Sequence, residues 1–375
     1  MTLAEALGSW TGQNLLTLAL AALAVWGGWR CSRREHWRLA WRQLRRRRAA
    51  MASLVILSGY LLVALLDSVG WRSPAVSPDT GEPLRRPDTG EVVLAGGRSA
   101  LDHLLSGLRR RRERSYSAPL ADTGLAMTRM GEGGRGRVAV PEPLRFPGAH
   151  PLGTDRVGED VLYQALKSIR TGMVIGVLTT LLAVPLALLL GILSGYFGGW
   201  VDDLLQYVCI VLSSIPTILF IAAFMLVFGQ GLPQLCLAMG IASWTGLYRL
   251  LRGETLRLRE ADYIQAAIGL GVPHWRILLR HIVPNVMHLV LITAILRFSS
   301  EVLAEAALTY LGIGVGADTY SWGSMINDAR TELTREPLVW WKLTAAFAFM
   351  LGLVLPANLL GDAVRDALDP RLRTE

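Results

Sequence analysis

Apolar residues in this chain are gathered into long runs, and runs of that length leave few folds open. Met173 to Gly195, Leu204 to Phe228, Leu232 to Leu251 and Val339 to Leu360 each approach or exceed the ~20 residues that a helix needs to cross a hydrocarbon core of ~30 Å. A further run lies between Asn285 and Gly312, and two more come first, at Asn14 to Trp29 and Ala49 to Leu66. Asn14 to Trp29 has no basic residue before it and no small-residue cleavage site after it, so it reads as a retained span rather than a secretory signal. At roughly 16 residues it is short, which leaves a re-entrant or interfacial segment as the alternative. Hydrophobic residues make up 52% of the 375 positions and charged residues 18%, as expected of an all-α polytopic membrane protein, here with seven predicted spans. Pro185, Pro216 and Pro356 fall inside three of them and predict kinks.

The formal charge of +8 is carried by arginine, since Lys167 and Lys342 are the only lysines. Nucleic-acid binding is one source of such a balance. Location points elsewhere, because the arginines flank apolar runs: Arg30, Arg33, Arg34, Arg38, Arg42 and Arg45 to Arg48 follow the first, with Trp37 and Trp41 at headgroup level. The positive-inside rule then places the N-terminus outside, Arg249 to Arg280 in the cytoplasm, and Arg365, Arg371 and Arg373 there too. Cys31, Cys209 and Cys236 lie too far apart to suggest a disulfide framework or a zinc spacing.

The chain divides into an N-terminal span with its Arg-rich segment (1–48), a second span (49–66), a long outer loop (67–172), a transmembrane domain (173–362) and a cytoplasmic tail (363–375). The loop carries Pro-Asp-Thr-Gly-Glu twice, at Pro78 to Glu82 and Pro87 to Glu91, with Arg109 to Arg112 and the glycine-rich Gly131 to Gly136 after them. The repeats lack EF-hand ligand spacing and read as turns. Asp155 and Asp160 accompany no nucleophile and base, so Gly153, Thr154 and Asp155 read as the punctuation that starts a helix.

Glu260 to Pro284 is the longest polar-rich interval between spans in the C-terminal half. Ala261, Ile264, Ala267 and Ile268 are separated by the three- and four-residue steps of an apolar helical face. Gly271 interrupts that helix, Pro273 suits the first turn of another, and Trp275, Ile277, Leu278 and Ile282 carry the chain back towards the bilayer. A surface ledge of two short helices is expected.

Gln265-Ala266-Ala267, with Gly271 and then Pro284, resembles the EAA loop of ATP-binding-cassette (ABC) importer permeases, with Gln265 where the family usually has Glu. His150-Pro-Leu-Gly-Thr-Asp-Arg-Val-Gly-Glu-Asp160 is similar to the HPLGTDxxGRDV signature of dipeptide and oligopeptide permeases, with Glu159 in place of Arg. Ser194-Gly-Tyr-Phe-Gly-Gly-Trp200, Ser214-Ile-Pro-Thr217, Glu305-Ala-Ala-Leu-Thr-Tyr-Leu-Gly312, Ser321-Trp-Gly323 and Asn358-Leu-Leu-Gly-Asp362 extend the likeness over residues 150 to 373. The resemblance implies a type I, EAA-loop permease of the bacterial inner membrane, with one span more than the family's six and a longer first loop. It also implies a heterodimer with a second permease subunit, two cytoplasmic ATPase subunits and a periplasmic solute-binding protein. Glu260, Tyr263, Gln265, Ala266, Ala267, Gly271, Arg276 and Pro284 would form the ATPase-coupling loop. No P-loop occurs, so ATP and Mg are expected on the partner ATPases and no cofactor or metal on this chain.

Arg297, Glu301 and Glu305, four residues apart, share a helical face inside a span, where charges must meet protein or water. They either line the solute path or form a salt bridge that fixes the helix. His274, His281 and His288 recur every seven residues, ~10.5 Å apart along a helix, too far to share one metal. A membrane-embedded enzyme using Arg297, Glu301, Glu305 or His281, a scaffold without flux, and an importer of another solute such as a nickel chelate are the alternatives to a peptide importer, which is no enzyme itself. The arginine cluster predicts that a reporter fused before Thr2 is reached by an impermeant label from outside the inner membrane; labelling only from the cytoplasm would refute the seven-span count.

Overall fold

The computed structural model describes residues 41, 43–71, 97–130, 138–316 and 318–368. The first apolar run, most of the arginine cluster, both Pro-Asp-Thr-Gly-Glu repeats and Gly131 to Gly136 lie outside these residues. The described chain is mostly helical and forms two compact units, one within residues 58–170 and 331–349, the other within 43–57, 171–330 and 350–368. Helices α1 (Arg48–Ser68), α4 (Val161–Phe197), α11 (Trp322–Glu332) and α12 (Trp341–Leu368) contribute to both.

Among the described residues, α1, α4, α12 and the helical stretch His274–Tyr310 are long and apolar enough to cross a membrane. The predicted span Leu204 to Phe228 breaks at Pro216, where a kink is expected. It is two helices, α5 (Gly199–Ser214) and α6 (Thr217–Phe228), bent by 87° at Ile215 and Pro216. Proline disfavours the helical conformation of its predecessor, and Ile215 is extended, with φ −84° and ψ 126°. Pro185 and Pro356 lie within α4 and α12, which continue through them as helices. Leu232 to Leu251 lies in α7 (Leu232–Arg259), which falls short of a spanning composition because Gln234, Ser243, Thr245 and Arg249 dilute its apolar residues. Four spans, or five if the bent pair is one, are therefore supported among the described residues, so the count of seven is not confirmed.

The unit that holds residues 97–130 departs from an all-helical expectation. Strands β1 (Gly70–Trp71) and β2 (Arg98–Ser99) pair antiparallel, as do β3 (Thr123–Met130) and β4 (Val138–Pro143). Ser99 caps α2 (Ala100–Leu104) in a capping box with Asp102, and α3 (Ser106–Arg110) follows. Asp102 also accepts from the Tyr163 hydroxyl at 2.7 Å and lies 3.0 Å from the Lys167 ammonium. Burial works to raise its carboxyl, but the Ser99 amide, the Tyr163 hydroxyl and Lys167 outweigh it and hold it at about 2. Lys167 reaches Asp67 as well, at 2.5 Å.

The Gly153 to Asp160 segment is a joint rather than a helix start, which corrects the expectation for residues 153–155. Asp160 opens α4, accepting the Tyr163 amide at 3.0 Å. Asp155 instead closes a turn, taking the Val157 and Glu159 amides at 2.9 Å each. Buried Thr154 donates to the Ser115 carbonyl at 2.8 Å, and its own carbonyl accepts from the Trp341 indole at 3.0 Å. Gly158 has φ +73°, and a Cβ there would lie 1.9 Å from the Glu113 carbonyl oxygen. Gly148 has φ +65° with open space around it. Gly148→Ala should therefore cost only the left-handed backbone penalty, about 1–2 kcal/mol, while Gly158→Ala adds a backbone clash and costs clearly more. Thermal unfolding of the two purified variants checks this, and equal losses would show that the joint yields.

In the other unit, α4 and α7 approach backbone to backbone. A Cβ on Gly195 would lie 2.7 Å from the Arg252 carbonyl oxygen, and one on Gly191 would lie 2.9 Å from the Leu251 Cβ. Such contacts are how small residues let membrane helices close up. Tyr196, Leu247, Tyr248 and Leu251 then share one apolar cluster with Ile264, Ile277, Ile282 and Val286.

Candidate functional site

The expected ledge is present. Helix α8 (Asp262–Gly269) ends at Leu270, Gly271 turns the chain with φ +71°, and α9 (His274–Ile277) starts after Pro273. A π turn, Leu278–Ile282, joins α9 to α10 (Val283–Tyr310). Pro273 is the residue before the helix rather than in its first turn; its φ of −62° suits the helix but its ψ of 139° is extended. Ile264, Ile277 and Ile282 are fully buried and fasten the ledge to the cluster of α4 and α7. Trp275 and Ile268, expected to face inward, do not: Trp275 is 59% exposed and Ile268 37%. With Leu270 at 83% and Tyr263 at 46%, they give the ledge an apolar outer surface.

Polar contacts hold it from beneath. The Tyr196 hydroxyl is 2.7 Å from His274 Nδ1, and Arg259 Nη1 donates to the Tyr196 carbonyl at 3.3 Å. Gln265 Nε2 donates to the Arg259 carbonyl at 2.8 Å, at the end of α7 where helical acceptors lack intrahelical donors. Asp202 receives both Arg252 Nε and Nη2 at 2.6 Å and also pairs with the Ser194 hydroxyl, which lies 2.9 Å from the Tyr248 hydroxyl. Gly198 and Gly199, at φ +64° and +52°, make the turn that brings Asp202 back over Ser194. The Ser194 to Trp200 motif signalled this region, but nothing in its spacing named Arg252 or Arg259 as partners.

The other predicted loop residues are mostly on the surface. Glu260 follows α7 and pairs with Arg259 at 3.1 Å; Ala266 and Pro284 are exposed, and Ala267 is half-buried. Arg276 lies 5.4 Å from the Trp275 ring. The three histidines have separate neighbours: His274 meets Tyr196, His281 packs by the Tyr263 ring at 6.3 Å, and His288 lies 2.8 Å from the Asn285 carbonyl.

Within α10, the structure brings Arg297 and Glu301 together at 3.4 Å and leaves Glu305 out of that pair. Glu305 is 1% exposed and accepts from the Thr309 hydroxyl at 2.7 Å. Arg297 Nη2 lies 3.5 Å from where a Cβ on Gly246 would sit, so α7 leaves room for the guanidinium.

Residues 187–374 match the family described as binding-protein-dependent transport system inner membrane component, and residues 36–82 match the N-terminal TM domain of oligopeptide transport permease C. The chain belongs to the former family. It is 35% identical over 226 residues to the glutathione transport system permease protein GsiD of Pectobacterium atrosepticum, covering 60% of this chain and 74% of that one. It is 36% identical over 226 residues to the oligopeptide transport system permease protein OppC of Haemophilus influenzae, covering 60% and 72%. With OppC of Mycobacterium tuberculosis the identity is 38% over 234 residues, covering 62% and 79%. A solved chain of the MetNI methionine ABC transporter aligns with a TM-score of 0.46 at 14% identity, over 56% of this chain and 97% of that one. The chain is thus a multi-pass inner-membrane permease component of a binding-protein-dependent transporter, and its relatives are transport subunits rather than enzymes.

Proposed function

We propose that this chain is a permease subunit of an ATP-driven importer of di- and oligopeptides, with its N-terminus outside and its C-terminus in the cytoplasm. It pairs with a second permease subunit and receives solute from an external binding protein. Two cytoplasmic ATPase subunits hold ATP and Mg. The peptide class rests on the names of relatives such as OppC and DppC.

The observation that carries the coupling role is the ledge itself, with Leu270 and Trp275 outward and Ile264 and Ile277 buried. A surface of this kind passes a push from a partner into the span, because α9, the π turn and α10 follow one another without an intervening loop. Gly271 has open space around it but a positive φ, so Gly271→Val strains the turn without a clash. Expected is normal expression and assembly, with peptide uptake reduced at least about tenfold and ATP hydrolysis no longer tied to it, the tenfold being equivalent to ~1.4 kcal/mol. Unchanged uptake at normal expression would sink the coupling role.

Arg297 and Glu301 form the pair we assign to the solute path, with Glu305 fixed beside it by Thr309. Glu301→Gln keeps the shape and removes the charge, and should change uptake or preference among peptides while ATPase association stays intact. Identical uptake across several peptides, with assembly unchanged, would reduce the pair to helix packing, and loss of assembly would make it a structural bridge.

A further inference from the structure

The unit containing β3 and β4 has an open cavity of about 290 Å³. Its walls include apolar Leu125 and Val339, the Tyr116 ring, Glu336, and the side chains of Arg156 and Arg335. Arg335 Cζ lies 5.0 Å from the centroid of the Tyr116 ring, within cation–π range. Several charges of the unit are matched: Arg114 meets Glu142 at 2.6 Å, Lys167 meets Asp67 and Asp102, and Lys342 lies 3.9 Å from both Asp155 and Glu332, whereas the arginines of α3 stand exposed and away from the cavity lining. Among the described residues, Arg156 and Arg335 have no ion-pair partner. Two arginines and one glutamate leave the wall with a formal charge of +1 (2 − 1).

The chemistry that answers this wall is a carboxylate. Size and surroundings decide what bears it. The cavity is at the small end for a free ligand, about 300 Å³ and upward, but takes one or two side chains readily. Val157, next to Arg156, is 47% exposed, and Leu338, next to Val339, is 51% exposed. Arginine and tyrosine are the residues enriched in protein-binding hot spots, and aliphatic neighbours such as these serve to keep water out around them. The family's dependence on a binding protein supplies the partner.

We propose that this cavity is the socket on this subunit for an acidic side chain of the solute-binding protein. The carboxylate enters between Arg156 and Arg335, and its apolar neighbours cover Val157 and Leu338. The inference rests on the proposed function, whose topology with the N-terminus outside places the segment between α1 and α4 outside the membrane.

The test uses the whole complex in lipid nanodiscs and the purified binding protein, with the dissociation constant measured at low and high salt. Arg156→Glu with Arg335→Glu should weaken binding at least about tenfold at low salt and flatten its salt dependence. Arg109→Glu with Arg110→Glu, on exposed α3, is the matched control for net charge and should change affinity less than about twofold. Equal losses in both pairs, or an unchanged constant in the first, would overturn the socket. If the double reversal fails to assemble, a photo-cross-linking residue at Ala126 in the otherwise unaltered chain decides. Capture of the binding protein at Ala126 supports the socket, and its absence overturns it even if a free peptide or lipid is captured instead. A wild-type complex that never binds the partner would refute the transport reading itself, whereas wild-type binding untouched by the arginine changes refutes only the socket.

Discussion

The unit that carries the ledge depends on the closeness of α4 to α7. Gly191 and Gly195 let the two backbones touch, and that contact is what sets Tyr196 within reach of His274 and Arg259 and sets Ser194 under Asp202. Any side chain at Gly195 would meet the Arg252 carbonyl, so helix separation and the Arg252–Asp202 pair are one constraint. In a bilayer, where lipid is as apolar as the helix faces, such packing and these few polar contacts hold helices together.

How much of this was legible follows from where each signal is stored. Apolar run length is local, so Ala49 to Leu66 became Arg48–Ser68 and the run after Asn285 became Val283–Tyr310. The early start of α4, at Val161 instead of Met173, is hidden in the sequence because its first turns are polar: Gln164, Lys167 and Arg170 face partners outside the helix, nearby Asp155 and the far more distant Asp67. Of the three prolines expected to kink their helices, Pro216 bends the chain by 87° while the other two lie within helices. At Pro185 and Pro356 the surrounding helix persists, whereas at Pro216 the extended Ile215 ends one helix and starts another. Periodicity found Ile264 and Ile277 as inward residues but sent Trp275 the same way, since it counts apolarity without knowing that an outer surface is also apolar.

Gln265 shows what a departure from a family pattern can mean. An ionised Glu there could only accept hydrogen bonds, but the amide donates one to the Arg259 carbonyl at the end of α7. The position thus serves the helix terminus beneath it as well as the surface above. Its charge was the visible difference; its donor was the structural one.

The π turn at Leu278–Ile282 has a further meaning. A π turn closes its hydrogen bonds one residue later than an α-helix does, so everything beyond it is rotated relative to an uninterrupted helix from His274. The direction in which Arg297 and Glu301 point relative to the ledge is therefore set at this seam. Loss of one residue at the seam would rejoin two α-helical segments, leave each internally unaltered and reset the angle between outer surface and intramembrane face, so the seam fixes the phase of a rod that stays continuous.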